Sequence, residues 1–464
     1  MSGGTRWLLL PVEVKTRAFE SRLFLGAHAV AAGWNVVIGR KSALNSAIRS
    51  LPRGLYLDKC IQASSLQKTQ YVKALGNVYA AIDEEGLVHE GGSETYPKRR
   101  LTTETLAETS RFCSWGDAQA EVVRAAMPKL ADRVVVTGNP RVDLWRPEMK
   151  GLHTRQVDRI RESVGEFVFF PSNFANVIGA DGRELTEQFG HVSGHYADQD
   201  ERRRFEGYLD LRRQILDRLR IALPRLAREL PDGHRLVIRP HPAEDHEFWD
   251  QVIDGHPNME LHYEGTITPW LLAARGIVHS NCTSGVEAAV SGVPCIAYSP
   301  LDESAFPMLP NEISRVVESD DELIAAVGDL IAGRQVVPDQ ARAVVDHHIA
   351  AVRGPLASEN LLAEFDSLPV REDRGDGRQA RRRSDELRMI PTRIQKLRAK
   401  RLRTAQDWMP PISSKLADQK FPLTETLEVD GILDRFATEL PRLAGVEVSA
   451  VGESLFQLSP ADRG

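Results

Sequence analysis

Short apolar runs recur through the first third of the chain at intervals that leave room for a helix between them: WLLLPVEV, NVVIGR, GLYLDK, VYAAID, RFCSWG and VVVTGN. Consecutive positions within a run are apolar, as in strands covered on both faces, and the segments between the runs are amphipathic. The pattern predicts a parallel sheet wrapped by helices, a Rossmann-like domain over residues 1–146.

A polar stretch over 146–166 follows, and then a second alternation begins at FVFFPSN. It continues through a long helix at about 201–230, the strand RLVIRPHP, a short strand in MELHY, the helix TPWLLAAR, the strand GIVHSN, a helix starting near Thr283 and the strand PCIAY. Helices near 320–332 and 338–352 complete a second Rossmann-like domain over 147–368. Beyond Leu368 the segment REDRGDGRQARRRSDELR is charged and poor in apolar residues, which predicts a solvated connector. RIQKLRAKRLR (393–403) then reads as a basic helix, either solvated or drawn to anionic lipid headgroups. The last stretch carries a helical pattern near 425–440 and a strand-like VEVSAVG. Residues 369–464 are therefore expected to be a charged linker and a mostly helical extension.

The 464 residues suffice for two or three domains, and 42% hydrophobic with 27% charged residues is ordinary globular composition. A net charge of -6 gives no basic field to gather nucleic acid, which is not expected as a partner. Cys60, Cys113, Cys282 and Cys295 form no Cys-x-x-Cys pair and read as small apolar residues. Charges at Glu13, Lys15 and Arg17 interrupt the first apolar run, unlike a cleavable signal, and no run approaches a membrane span. A cytoplasmic protein is expected, with peripheral contact to the inner membrane face through 393–403 as the alternative to a solvated helix there. The turn after the first strand lacks Gly-x-Gly-x-x-Gly, so no dinucleotide cofactor is expected.

Ligands of parallel sheets bind beyond the carboxyl ends of the strands, so the strand pattern also locates candidate chemistry. VYAAID runs into Asp83, Glu84, Glu85 and Gly86. Carboxylates crowded at a strand end can raise one pKa toward that of a general base, while a solvated acidic turn with Gly86 at positive φ is the plainer account. RLVIRPHP ends on Arg239, Pro240, His241 and Pro242, with Glu244 following. Flanking prolines aim the imidazole and Arg239 adds a fixed charge, which suits a phosphate; a rigid structural histidine is the alternative. After GIVHSN, which ends on Ser280 and Asn281, Thr283 or Ser284 can cap the next helix, and Gly285 leaves room for a phosphate at its N-terminus. Glu287 can reach ribose hydroxyls or simply favour the helix start. Asn173 and Asn176 stand at another strand end, as turn residues or as donors to a base or sugar. Lys15, Arg17, Arg40 and Lys41 can hold an anionic sugar or acceptor, or form a solvated rim.

Together Glu84-Glu85-Gly86, His241-Pro242 and Thr283-Ser284 resemble the D/E-D/E-Gly, His-Pro and Ser/Thr motifs of bacterial GT-B glycosyltransferases that use CMP-activated acidic sugars, the sialyltransferases and 3-deoxy-octulosonate (Kdo) transferases. More broadly, LPVEVKTR, GRKSALN, LPRGLYLDK, DEEGLV, WGDAQ and TGNPRVDLWRPE resemble the bacterial surface carbohydrate biosynthesis proteins. The resemblance implies a two-domain GT-B enzyme with an acceptor-side first domain and a nucleotide-sugar second domain. It implies that Glu84, or Asp83 or Glu85 if the frame shifts, is the base or acceptor contact. It also implies that His241 binds or protonates the CMP phosphate, with Thr283 and Ser284 on the same group. Arg239, Pro242, Asn173, Ser280, Asn281 and Glu287 complete the expected nucleotide contacts. The donor is a CMP-linked sugar, the acceptor a surface polysaccharide or lipid-linked glycan, and neither a cofactor nor a metal is expected. TGNPRVD and RPHPAE also resemble turns of UDP-sugar 2-epimerases, and the His-Pro histidine has a counterpart in CDP-glycerol transferases of the teichoic acid type. A non-catalytic GT-B scaffold is a further alternative.

Overall fold

The computed structural model describes residues 5–88, 96–179, 199–334, 341–372 and 420–461. The chain divides into two compact units. The first comprises Met1–Gly86, Arg99–Leu144 and Ile349–Gly464, the second Leu87–Lys98 and Trp145–His348. The basic segment 393–403 lies outside the described residues. No helix among them is long and apolar enough to cross a membrane.

In the first unit, β1 (Arg6–Val12), β2 (Trp34–Arg40), β3 (Leu55–Asp58), β4 (Val78–Ile82), β5 (Arg111–Ser114) and β6 (Val134–Val136) pair in parallel in the order β2-β1-β3-β4-β5-β6. Leu8, Leu9 and Leu10 of β1 are all fully buried, because alternate side chains meet cover on opposite faces. Chain direction in strand order reverses at β1 and β3, so the loops after these two strands part to either face and open a crevice at the carboxyl edge.

The second unit holds β7 (Glu166–Pro171), β8 (His234–Arg239), β9 (Met259–Leu261), β10 (Ile277–His279), β11 (Cys295–Tyr298) and β12 (Arg315–Val317) in the parallel order β12-β11-β10-β7-β8-β9. This is the strand order of a dinucleotide-binding Rossmann sheet, with its switch point between β7 and β10. Alternation along β7 supplies both cores. Val168 and Phe170 pack under the helix Gln199–Glu229, whose Leu216, Leu219 and Leu223 are buried, while Phe167 and Phe169 pack on Trp270 and Leu271.

The chain organisation differs from the sequence expectation after residue 348. Asp143, fully buried, accepts the backbone N–H groups of Ala357 and Ser358 at 2.7 and 2.9 Å and the Ser358 hydroxyl at 2.7 Å. A buried carboxylate needs such donors, and the start of the helix Ala357–Asp366 provides them, so this helix belongs to the first unit. The extension is likewise not an appended helical piece. β13 (Val446–Gly452) and β14 (Leu455–Pro460) form a hairpin, and β14 adds antiparallel to β2, covering an edge that would otherwise expose unpaired backbone groups. The helix Thr426–Glu439 sets Phe436 against Phe24, ring centroids 5.0 Å apart, on the helix Glu20–Ala31. Ser21 to Val30 are all buried, which is why that helix is apolar on most sides, with Ser21, Arg22 and His28 as its buried polar residues.

If the extension is part of the first core, Phe436→Ala is expected to cost about 3–5 kcal/mol, the usual loss for a buried aromatic. Urea unfolding of the full chain measures it, and an unchanged midpoint would show that the extension is not part of that core.

Candidate functional site

At the carboxyl edge of the first sheet every carboxylate of the acidic turn meets an arginine. Asp83 is fully buried and engages Arg100 through both oxygens, Oδ2 with Nε at 3.0 Å and Oδ1 with Nη2 at 2.5 Å. Glu85 is exposed and pairs with Arg17 at 3.1 Å and with Arg100 at 2.6 Å. Burial works to raise its pKa, but Arg100, Arg17 and Lys59 outweigh this and hold the carboxyl below its ordinary value. The expectation that crowding raises a pKa therefore fails at Glu85, because cations rather than other carboxylates dominate its field. Glu84 Oε1 accepts Arg22 Nε at 3.0 Å and Nη2 at 2.5 Å, whereas its buried Oε2 has no hydrogen-bond partner.

Gly86 does not take a positive φ. A Cβ there would lie 1.9 Å from Gln119 Nε2, so the glycine serves close approach. Gln119 Oε1 in turn accepts the Trp115 backbone N–H at 2.8 Å, and Trp115 Nε1 donates to the Asp83 carbonyl at 2.6 Å.

The expected acceptor-binding cations are largely committed to carboxylates. Lys15 pairs with Glu428 at 2.7 Å, Arg17 with Glu85, and Lys41 with Glu13 at 2.9 Å. Glu13 also meets Lys59 at 2.8 Å, and although burial opposes ionisation the two lysines bring its pKa down to about 2. The Arg40 backbone N–H donates to the Ser454 carbonyl, which seats the C-terminal hairpin turn at this edge.

In the second unit the residues at the ends of β7 and β10 converge. Asn173 Nδ2 donates to the Asn281 carbonyl at 3.0 Å, and Asn173 Oδ1 accepts Arg212 Nη2 at 2.7 Å. Arg212 Nη1 donates to the Ser280 carbonyl at 3.2 Å and to its hydroxyl at 3.1 Å, and the guanidinium stands 4.0 Å from the Phe174 ring centroid. Asn281 takes φ +52 and directs Nδ2 to Glu303 at 2.5 Å. The helix Thr283–Val290 begins next. Neither Thr283 nor Ser284 caps it: the N-cap is Cys282, with no side-chain hydrogen bond to the helix. Thr283 and Ser284 are half-buried in its first turn, where the Gly285 backbone N–H donates to the Cys282 carbonyl at 2.9 Å and no side chain caps the helix.

Three expected ligand contacts have structural work instead. Arg239 donates to the carbonyls of Glu264 and Gly265 at 2.9 and 2.6 Å, and burial lowers its pKa to about 10 against the pull of Glu287 and Glu264. Glu287 is buried and accepts the Thr268 hydroxyl at 2.5 Å, facing inward. A Cβ on Gly285 would fall 2.6 Å from His279 Nε2, so this glycine makes room for a buried imidazole. His241 is half-buried beside exposed Pro242, and its Nδ1 accepts the Ala243 backbone N–H at 3.2 Å, which places the proton of the neutral ring on Nε2.

Glu244 holds this turn in place. It is fully buried and accepts the Ser172 hydroxyl at 2.9 Å, the Phe174 backbone N–H at 2.5 Å and Trp249 Nε1 at 2.8 Å, linking the end of β7 to the His241 turn. The sequence noted Glu244 only in passing and passed over Arg22, Arg100 and Arg212. A signal for Arg212 existed: it interrupts the apolar stripe Leu209, Leu216, Leu219 and Leu223 at helical spacing. Among the described residues no three His, Cys, Asp or Glu side chains gather as metal ligands.

Each unit is thus built on a parallel α/β sheet of the Rossmann type, extended in the first by the antiparallel C-terminal hairpin, with polar residues at its carboxyl edge, the two-domain α/β class expected from the GT-B resemblance. No protein-family model and no curated protein matches the chain. Among solved structures, the wall teichoic acid polymerase TagF is 12% identical with a TM-score of 0.47, covering 78% of this chain and 88% of its own. MnaA of S. aureus in complex with UDP is 11% identical with a TM-score of 0.45, covering 78% of this chain and 96% of its own. The UDP-GlcNAc 2-epimerase of Methanocaldococcus jannaschii in complex with UDP-GlcNAc and UDP is 12% identical with a TM-score of 0.44, covering 78% and 99%. At these scores the fold assignment rests on strand order alone, and no substrate follows from the likeness.

Burial pushes the Glu244 pKa up to about 7 from 4.5, against its hydrogen bonds to Ser172, Trp249, Phe174 and His241. The native state then holds this proton to higher pH than the unfolded chain, so the stability it contributes is complete below pH 4.5 and is lost as pH rises through about 7. Relative to Glu244→Gln, the wild-type protein is expected to lose up to about 3 kcal/mol between pH 4.5 and 8. Denaturant unfolding of both proteins across that range checks this, and a flat difference would mean that Glu244 is ionised throughout.

Proposed function

We propose that the chain is a glycosyltransferase that moves an acidic sugar of the Kdo or sialic acid type from a CMP-activated donor to a surface polysaccharide or glycolipid. The observation that carries this proposal is the polar group at the switch point of the second sheet. There Asn173, Ser280 and Asn281 interlock at the head of a helix that lacks a side-chain cap. Such a place suits a nucleotide phosphate. His241 Nε2–H is the donor that hydrogen-bonds the phosphate as CMP departs. The bond between the anomeric carbon and the phosphate oxygen breaks, CMP leaves with the electron pair, and the acceptor oxygen bonds to the oxocarbenium-like carbon while its proton passes to a carboxylate.

Glu84 is assigned that carboxylate. Asp83 has both oxygens on Arg100, and Glu85 has one oxygen on Arg17 and the other on Arg100. In Glu84 one oxygen is bound by Arg22 and the other is without a partner.

Two measurements test this. Thermal shift with CMP, a CMP-sugar, CDP-glycerol and UDP-GlcNAc, followed by nucleotide release, separates the transferase from a polyol-phosphate transferase and an epimerase. Stabilisation by UDP-GlcNAc but not by CMP would overturn it. Glu84→Gln is expected to lower transfer on the order of a hundredfold or more with CMP affinity kept, as for loss of a general base. His241→Ala is expected to weaken both transfer and CMP affinity, and near-normal turnover by Glu84→Gln would remove that residue from the chemistry.

A further inference from the structure

We infer that Arg212 supplies the fixed positive charge that holds the donor phosphate in the second unit, the part that the sequence assigned to Arg239; this rests on the donor site proposed above. Arg212 is 2% exposed, on the helix Gln199–Glu229. Its partners are the Ser280 carbonyl and hydroxyl, the Asn173 amide oxygen and the face of Phe174, and none of them carries a charge. Among the described residues it forms no ion pair. The neighbouring carboxylates are engaged elsewhere. Glu244 accepts from Ser172, Phe174 and Trp249, and Glu303 accepts from Asn281, from Ser299 at 2.6 Å and from Asn311 at 3.4 Å.

A guanidinium taken out of water and met only by neutral acceptors is costly, and an anion beside it recovers that cost. Position points to the same anion. Asn173 and Ser280 terminate β7 and β10, the two strands that flank the switch point, and the helix whose first turn lacks a side-chain cap starts three residues after Ser280. A second observation is independent of charge. Asn281 is 2% exposed, its Nδ2 is fixed on Glu303, and its buried Oδ1 has no partner. An amide oxygen so held accepts a hydroxyl, as a ribose or a sugar presents beside a phosphate. Phosphate, helix N–H groups and a hydroxyl-bearing ring together describe a nucleotide rather than an inorganic ion. Arg239 differs in its surroundings, since beside the carbonyls of the 263–265 loop it already feels the carboxylates of Glu287 and Glu264.

The experiment compares CMP with cytidine by calorimetry on the full chain, for wild type, Arg212→Gln and Arg212→Lys. The wild type is expected to prefer CMP strongly. Arg212→Gln should lose tenfold or more in CMP affinity with cytidine affinity kept, while Arg212→Lys should restore most of the preference. A merely structural arginine would move both ligands together, and that result overturns the inference while leaving the donor site standing. If Arg212→Gln does not fold, Arg212→Lys decides: a folded lysine variant that prefers CMP supports the charge, and one that binds the two ligands equally refutes it. A wild-type protein that binds neither CMP nor any other nucleoside monophosphate would sink the donor site itself, and the role of Arg212 with it.

Discussion

A parallel sheet delivers all the loops that follow its strands to one edge, and the charges carried there must be neutralised by one another, by water or by a ligand. The two units answer this constraint differently. In the first, carboxylates and cations close on themselves: Arg100 with Asp83 and Glu85, Arg22 with Glu84, and Lys41 and Lys59 with Glu13. In the second, Arg212 meets only neutral groups.

What the sequence made legible was place. Runs apolar on both faces located the strands, and because strand ends define the ligand edge they also located the acidic turn, the His241 turn and the head of the helix Thr283–Val290. The short strand β12 and the edge strand β14 were not singled out. β12 spans only Arg315–Val317, and β14 earns its pairing from β2, a partner far away in sequence. The return of Ala357–Asp366 to the first unit depends on Asp143, more than two hundred residues earlier, and no local pattern carries that information.

What sequence could not give was the state of each side chain. Arg22 lies 62 residues before Glu84, so crowding at the turn looked like mutual repulsion when it is in fact charge pairing. The glycines mislead in the same way. Gly86 and Gly285 look like turn flexibility and ligand clearance, yet each makes room for a neighbouring side chain, Gln119 in one case and His279 in the other. Arg239 next to His241 looks like a phosphate ligand, but a residue at the last position of a buried strand is more easily drawn to the carbonyls of the adjacent loop.

The acidic turn shows how geometry separates groups of one chemical kind. Arg100 grips Asp83 fork to fork, using both carboxylate oxygens, which is the strong form of the pair and leaves nothing to offer a substrate. Arg22 instead places Nε and Nη2 on the single Oε1 of Glu84, so that Oε2 and Nη1 are both buried without partners. Each such atom costs on the order of 1–3 kcal/mol in desolvation that a rotated pair would avoid. An arrangement that leaves this cost in place keeps one oxygen of Glu84 uncommitted, while Arg22 fixes the direction of the carboxylate. Of the three acidic side chains in the turn only Glu84 has such an oxygen, since arginines take both oxygens of Asp83 and of Glu85.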